Sequence, residues 1–172
     1  MKRFVAIFLF IFSITALVAV PVSFTFDLRS ADSFFLKGVR IDSELSFDIK
    51  NIRLTFPFRY GKSKDYNLNA LESGILVGVW PIEDMGLFAE ISLIKIGCMW
   101  GLYAPKEGFF FSSEASVGWE FRFNHFVLRP KYTLRSTFSS EDTKEEKLKT
   151  IPQFSSSRIS LHIGVFIGGK NE

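Results

Sequence analysis

The sequence predicts an all-β protein: an eight-stranded antiparallel up-and-down transmembrane β-barrel, preceded by a signal peptide. Three observations predict it. From Val22 onward, apolar and polar residues alternate with a period of two in eight separate segments. The connections between the segments are short and long in turn. One face of each segment is bulky and apolar, in a chain with 21 Phe, while the other is built from Gly, Ser, Arg and acids.

The chain opens "MKRFVAIFLFIFSITALVAVPVS". Lys2 and Arg3 precede an uncharged apolar run, the layout of a secretory signal peptide. A transmembrane helix would have similar length. The small residues Ala16 and Ala19, and a strand-like segment with no basic cluster directly after Pro21, favour cleavage. The expected division is a signal peptide over 1–19 and a barrel over 20–172. Beyond it no run is apolar and long enough for a membrane helix. Cys98 is the single cysteine, so no internal disulfide forms. With Cys98, His125 and His162 as the soft ligands, a zinc cluster of Cys and His is excluded, and no cofactor or metal is expected. Without Lys2 and Arg3 the chain holds 19 basic and 18 acidic residues. Such a balance gives nucleic-acid binding no electrostatic support.

In the first segment, "VSFTFDLR", Val22, Phe24, Phe26 and Leu28 oppose Ser23, Thr25, Asp27 and Arg29. The second, ending at Ile49, sets Val39, Ile41, Leu45, Phe47 and Ile49 against Arg40, Asp42, Glu44 and Asp48. In the third, Ile52, Leu54, Phe56, Phe58 and Tyr60 alternate with Arg53, Thr55, Pro57 and Arg59. Ile75, Val77 and Val79 of the fourth oppose Glu72, Gly74, Leu76, Gly78 and Trp80. The fifth starts with Leu87, Ala89, Ile91 and Leu93 against Phe88, Glu90 and Ser92. Its parity then fails at "IKIGCMW", where Lys95 falls on the apolar face unless a β-bulge after Leu93 turns it over. The sixth and seventh flank Asn124-His125 and carry Glu114, Glu120, Arg122, Arg129, Lys131 and Arg135 on their polar face. In the eighth, Ile159, Leu161, Ile163, Val165 and Ile167 oppose Arg158, Ser160, His162, Gly164 and Phe166.

A soluble barrel would turn the apolar set inward. Eight closed strands enclose a space that side chains just fill, too small for so many Phe, Ile and Leu. The polar face is also poor in Lys, which falls mainly in the connections. Turned inside out, both features make sense: apolar residues face lipid and a polar set lines the lumen. The lumen set then holds acids Asp27, Asp42, Glu44, Asp48, Glu72, Glu90, Glu114 and Glu120. Facing them are Arg29, Arg40, Arg53, Arg59, Arg122, Arg129, Lys131, Arg135 and Arg158. Nearly balanced signs in a narrow space can pair, and Arg suits bidentate contact with carboxylates.

This architecture resembles the small eight-stranded outer-membrane β-barrel proteins of the OmpX, OmpA and OmpW kind, over about residues 22–168. The resemblance rests on the leader, the eight alternating segments and the alternating connections. The chain departs from many such proteins in ending "GVFIGGKNE" instead of in Phe or Trp. The resemblance implies outer-membrane lipid and the barrel assembly machinery as partners. It places 61–69, 101–108 and 139–155 outside the cell, where a ligand or host surface would bind. The turns at Lys50-Asn51, Pro81–Met85 and Asn124-His125 would be periplasmic.

Catalysis has weak support. Glu114 and Glu120 lie six residues apart on one strand, roughly 20 Å by the rise per residue, too far to act as a pair. His162 with Ser160 or Ser116 could serve a lipid-modifying enzyme, though a lone inward His is ordinarily one more polar lumen residue. A soluble carrier of apolar ligands is the other alternative. Cys98 reads as inert packing. Trp80, Trp100, Trp119, Tyr60 and Tyr103 stand near strand ends, where aromatic girdles lie. The expected function is a structural, surface-binding or narrow-pore membrane barrel without enzymatic activity.

Overall fold

The computed structural model describes residues 20–31, 39–63, 67–82, 86–101, 108–138, 146 and 148–168. The signal peptide expected over 1–19, Tyr103 and most of 101–108 lie outside the described residues. The strands are β1 (Val22–Asp27), β2 (Arg40–Ile49), β3 (Ile52–Ser63), β4 (Leu68–Ile82), β5 (Leu87–Gly101), β6 (Phe109–Trp119), β7 (Phe121–Phe123), β8 (Phe126–Phe138) and β9 (Ser157–Ile167). β6 and β7 both pair with β8 and form one stave broken at Glu120. The result is an eight-stranded antiparallel up-and-down barrel. It closes where β1 meets β9, from Val22 opposite Ile167 to Asp27 opposite His162.

Pairing is staggered around the barrel. Partners followed from Val22 through Phe47, Leu54, Val77, Ile91, Ala115 and Leu134 end at Ser157. Val22 itself pairs with Ile167, ten residues further along β9. A stagger of this kind tilts the strands against the barrel axis and lets a narrow barrel close.

Local sequence explains the turns. Lys50 and Asn124 adopt φ of 54° and 53° in two-residue turns, as tight hairpins of this hand require. After Asp27 the chain enters a 3-10 turn at Leu28–Ala31, and Asp27 Oδ1 accepts a hydrogen bond from the Arg29 N–H at 3.1 Å. Arg29 is therefore exposed on this turn and does not line the lumen as its parity implied. The predicted long connection 61–69 is also mostly strand, since Lys62 pairs with Asn69 and Ser63 with Leu68. The alternation simply continues there: Gly61, Ser63, Leu68 and Ala70 point inward and Lys62 outward.

The expected bulge is present on β5. Ile75 pairs with Ile94 and Leu76 with Ser92, leaving Leu93 as the extra residue. Leu93 and Ile94 consequently both face out, and Lys95 is 1% exposed. Pro57 lies where β3–β4 pairing is interrupted between Thr55 and Phe58, which accommodates its missing N–H. The Ser73 hydroxyl donates to its carbonyl at 2.9 Å.

The two faces divide as the parity indicates. Phe24, Phe26, Phe56, Phe58, Ile91, Val117, Tyr132, Leu134, Ile159 and Val165 are exposed on the outside. An apolar cluster of Leu68, Ala70, Met99, Phe110, Leu148, Ile151 and Phe154 seals the barrel at its long-connection end. The stretch 139–155, expected as an outer connection, is not given wholly to surface contacts: Leu148, Ile151 and Phe154 are buried. They recur every third residue and dip together into the barrel mouth. Gly61 leaves room for them, because a Cβ there would stand 2.5 Å from Ile151 Cγ2.

Candidate functional site

The lumen is the one place where chemistry concentrates among the described residues. Alternation delivers a polar side chain inward from nearly every strand, and two sets of ion pairs result.

The set nearer the sealed end centres on Arg59 of β3. Its guanidinium reaches Asp42 at 3.3 Å and Glu72 at 3.5 Å. It holds Glu114 through both Nη atoms, with Nη2 at 2.8 Å from Oε1. Lys95 joins Glu72 at 2.6 Å and also pairs with Glu114. Arg135 reaches Glu72 at 2.5 Å and donates to the Phe154 carbonyl at 3.1 Å, tying the network to the seal. Ser112 donates to Glu72 at 2.7 Å. Arg158 stands 2.5 Å from Asp42 and 3.9 Å from Asp27.

The other set lies toward the short turns. Arg53 chelates Asp48 at 2.6 and 3.0 Å and approaches Glu120 at 2.8 Å. Arg129 bonds Glu120 at 2.6 and 2.9 Å, Ser23 at 3.1 Å and Glu44 at 3.3 Å. Lys131 pairs with Glu44 and lies 3.8 Å from Glu90. Thr55 donates to Glu90 at 2.8 Å. Arg122 pairs with Asp48 and Glu120 but is partly exposed at the mouth, over the Phe166 ring at 4.2 Å. Arg40 is half-buried at the start of β2.

Buried charges are tolerable only when paired and hydrogen-bonded, and this arrangement meets that need for nearly every charged residue that parity turns inward. Two contributors are less visible in the sequence. Lys95 enters only through the bulge. The seal enters from a connection whose composition is dominated by charge, and its one sequence signal is the threefold spacing of Leu148, Ile151 and Phe154.

The aromatic residues separate. Trp100 and Trp119 are exposed on the outside, and Tyr60 packs near Trp100 with ring centroids 6.1 Å apart. Trp80 stands at a strand end but follows its parity inward, where Arg53 lies 4.2 Å above its ring. His162 is fully buried in the lumen. Its Nδ1 is 3.7 Å from Glu44, and neither ring nitrogen has a hydrogen-bond partner. Ser160, two residues along the same strand, is likewise buried and unpartnered, while Ser116 is 3.5 Å from Glu90. Neither serine is hydrogen-bonded to His162.

Comparison with protein-family models, with curated proteins and with solved structures finds no match.

Proposed function

We propose that this chain, once its leader is removed, is an integral outer-membrane β-barrel protein that anchors surface contacts in the membrane and is closed to hydrophilic solutes. One observation carries the reading: the closed barrel is inside out, with Phe, Ile, Leu and Val on its exterior and ion-paired Arg, Lys, Asp and Glu in its lumen. An apolar exterior this continuous is far larger than soluble monomers expose. It suits hydrocarbon, where closure also satisfies every backbone group. The soluble-carrier alternative needs an apolar interior, and this interior is charged.

The absence of solute conduction rests on the lumen contents. Arg53, Arg59 and Arg129 are fully buried, and Leu148, Ile151 and Phe154 cover one end. Contacts with a ligand or host surface then belong to the rim formed by the long connections.

Cell fractionation tests the reading. The mature chain should remain in the membrane pellet after carbonate extraction. After detergent extraction it should migrate differently on gels before and after boiling. Release by carbonate, with one gel mobility throughout, would contradict it.

A further inference from the structure

Most acids in the lumen are well paired; Asp27 is not. Asp27 Oδ1 accepts the Arg29 N–H, and its cationic neighbour Arg158 stands off at 3.9 Å. Arg158 comes within 2.5 Å of Asp42, yet neither of its Nη atoms makes an aligned hydrogen bond. Directly opposite Asp27 in the β1–β9 ladder is His162, fully buried with both ring nitrogens unpartnered. A buried imidazole without a protein partner costs free energy that a ligand would recover.

We infer that Asp27, Asp42 and His162 form a binding site for a divalent first-row transition metal, for which Arg158 competes. One ligand atom from each of the three lies within 4.8 Å of the others. All three come from the closed β2–β1–β9 wall, so the backbone holds them together. One imidazole with two carboxylates suits Zn²⁺, Co²⁺ or Fe²⁺, whereas Ca²⁺ and Mg²⁺ prefer oxygen alone.

The neighbourhood is suited to a hydrated ion. The hydroxyls of Thr25, Thr133 and Ser160 are buried and unpartnered. Thr25 is two residues from Asp27, Ser160 two from His162, and Thr133 opposite Arg158. Each can accept a hydrogen bond from a metal-bound water. Glu44 lies 3.7 Å from the imidazole, with its charge already shared by Arg129 and Lys131. Four cations oppose the ion. Arg129, directly across the β8–β9 ladder from His162, is committed to Glu44 and Glu120, and Lys131 to Glu44. Arg59 is committed to Glu72 and Glu114 as well as Asp42. Arg158 has only Asp42 and the distant Asp27, and it is the one that must withdraw. A site of Cys and His ligands was excluded by composition; this one needs one His and two acids that lie far apart in sequence.

The inference depends on the closed barrel and not on its membrane location. The test is to refold the purified chain in detergent with Co²⁺, remove free metal, and confirm folding by gel mobility. Folded parent should retain an equimolar amount of cobalt with a visible absorption band, and Zn²⁺ should displace it. His162→Ala should lose the cobalt, while His125→Ala, altered in a turn, should keep it. Arg158→Gln should bind about tenfold tighter, the scale of removing one unit charge at contact distance from a cation. Folded parent without cobalt, cobalt retained by His162→Ala, or a folded Arg158→Gln that binds no tighter would each overturn the site. If Arg158→Gln does not fold, the comparison of parent, His162→Ala and His125→Ala decides alone.

Discussion

Lys95 and Glu114 pair inside the barrel because one extra residue, Leu93, turns the upper half of β5 over. Without that bulge the strand would present Lys95 to the apolar exterior. The cation would leave Glu72 and Glu114 with one partner fewer.

Deleting Leu93 should straighten β5 without turning either half over. Ser92, Ile94 and Lys95 would then alternate in, out and in, and Leu76 and Ile75 would keep their partners. The deletion variant should therefore fold, with parental gel mobility and Lys95 still paired in the lumen. Leu93→Ala keeps the bulge and should change the urea midpoint little. A deletion variant that does not fold would show that the bulge itself, and not the parity it corrects, is needed.

Arg129 and Arg59 should be worth more to stability than to permeability. Each is buried and joins acids from other strands. Arg59→Ala or Arg129→Ala should lose about 3–5 kcal/mol in urea titrations, because the acids stay buried without the cation. Arg59→Lys should recover only part of this, since Lys cannot make the paired contact with Glu114. Stability unchanged by both alanine variants would mean that the network is not structural.

The seal should open before the barrel does. Gly61→Val would place a side chain where Ile151 now sits. Hydrogen exchange at Leu148–Phe154 should accelerate while β1 to β9 stay protected. Uniform acceleration through the strands would contradict a separable seal.

Planar bilayers should register small or flickering conductance, and liposomes carrying the protein should not take up sugars. The lumen is crossed by long paired side chains at two levels and sealed above them. Steady, ohmic conductance from the wild-type monomer would make solute transport the leading function.

Much of this was legible in the sequence because a barrel of this kind repeats one rule. Parity alone turned Asp42, Glu44, Arg53, Arg59, Glu72 and Arg129 to one side, and pairing between strands brought them together. What resisted was whatever broke parity or acted across long sequence separations. Arg29 left the alternation because Asp27 starts a turn. The strands ran on through Lys62 and Asn69 where Gly, Lys and Asn suggested a loop. The seal was obscured because its three apolar residues sit among charges. The proximity of Asp27 to His162 depends on barrel closure, which no local pattern reveals.

The most direct test of the account is where its tryptophans sit. With Trp80→Phe, the remaining Trp100 and Trp119 both lie on the barrel exterior. Their fluorescence should be measured in liposomes of ordinary phospholipid and of phospholipid brominated along the acyl chain. An inside-out membrane barrel predicts strong quenching by the brominated chains and little by a water-soluble quencher. Emission untouched by brominated lipid and fully open to the aqueous quencher would contradict a membrane-embedded barrel.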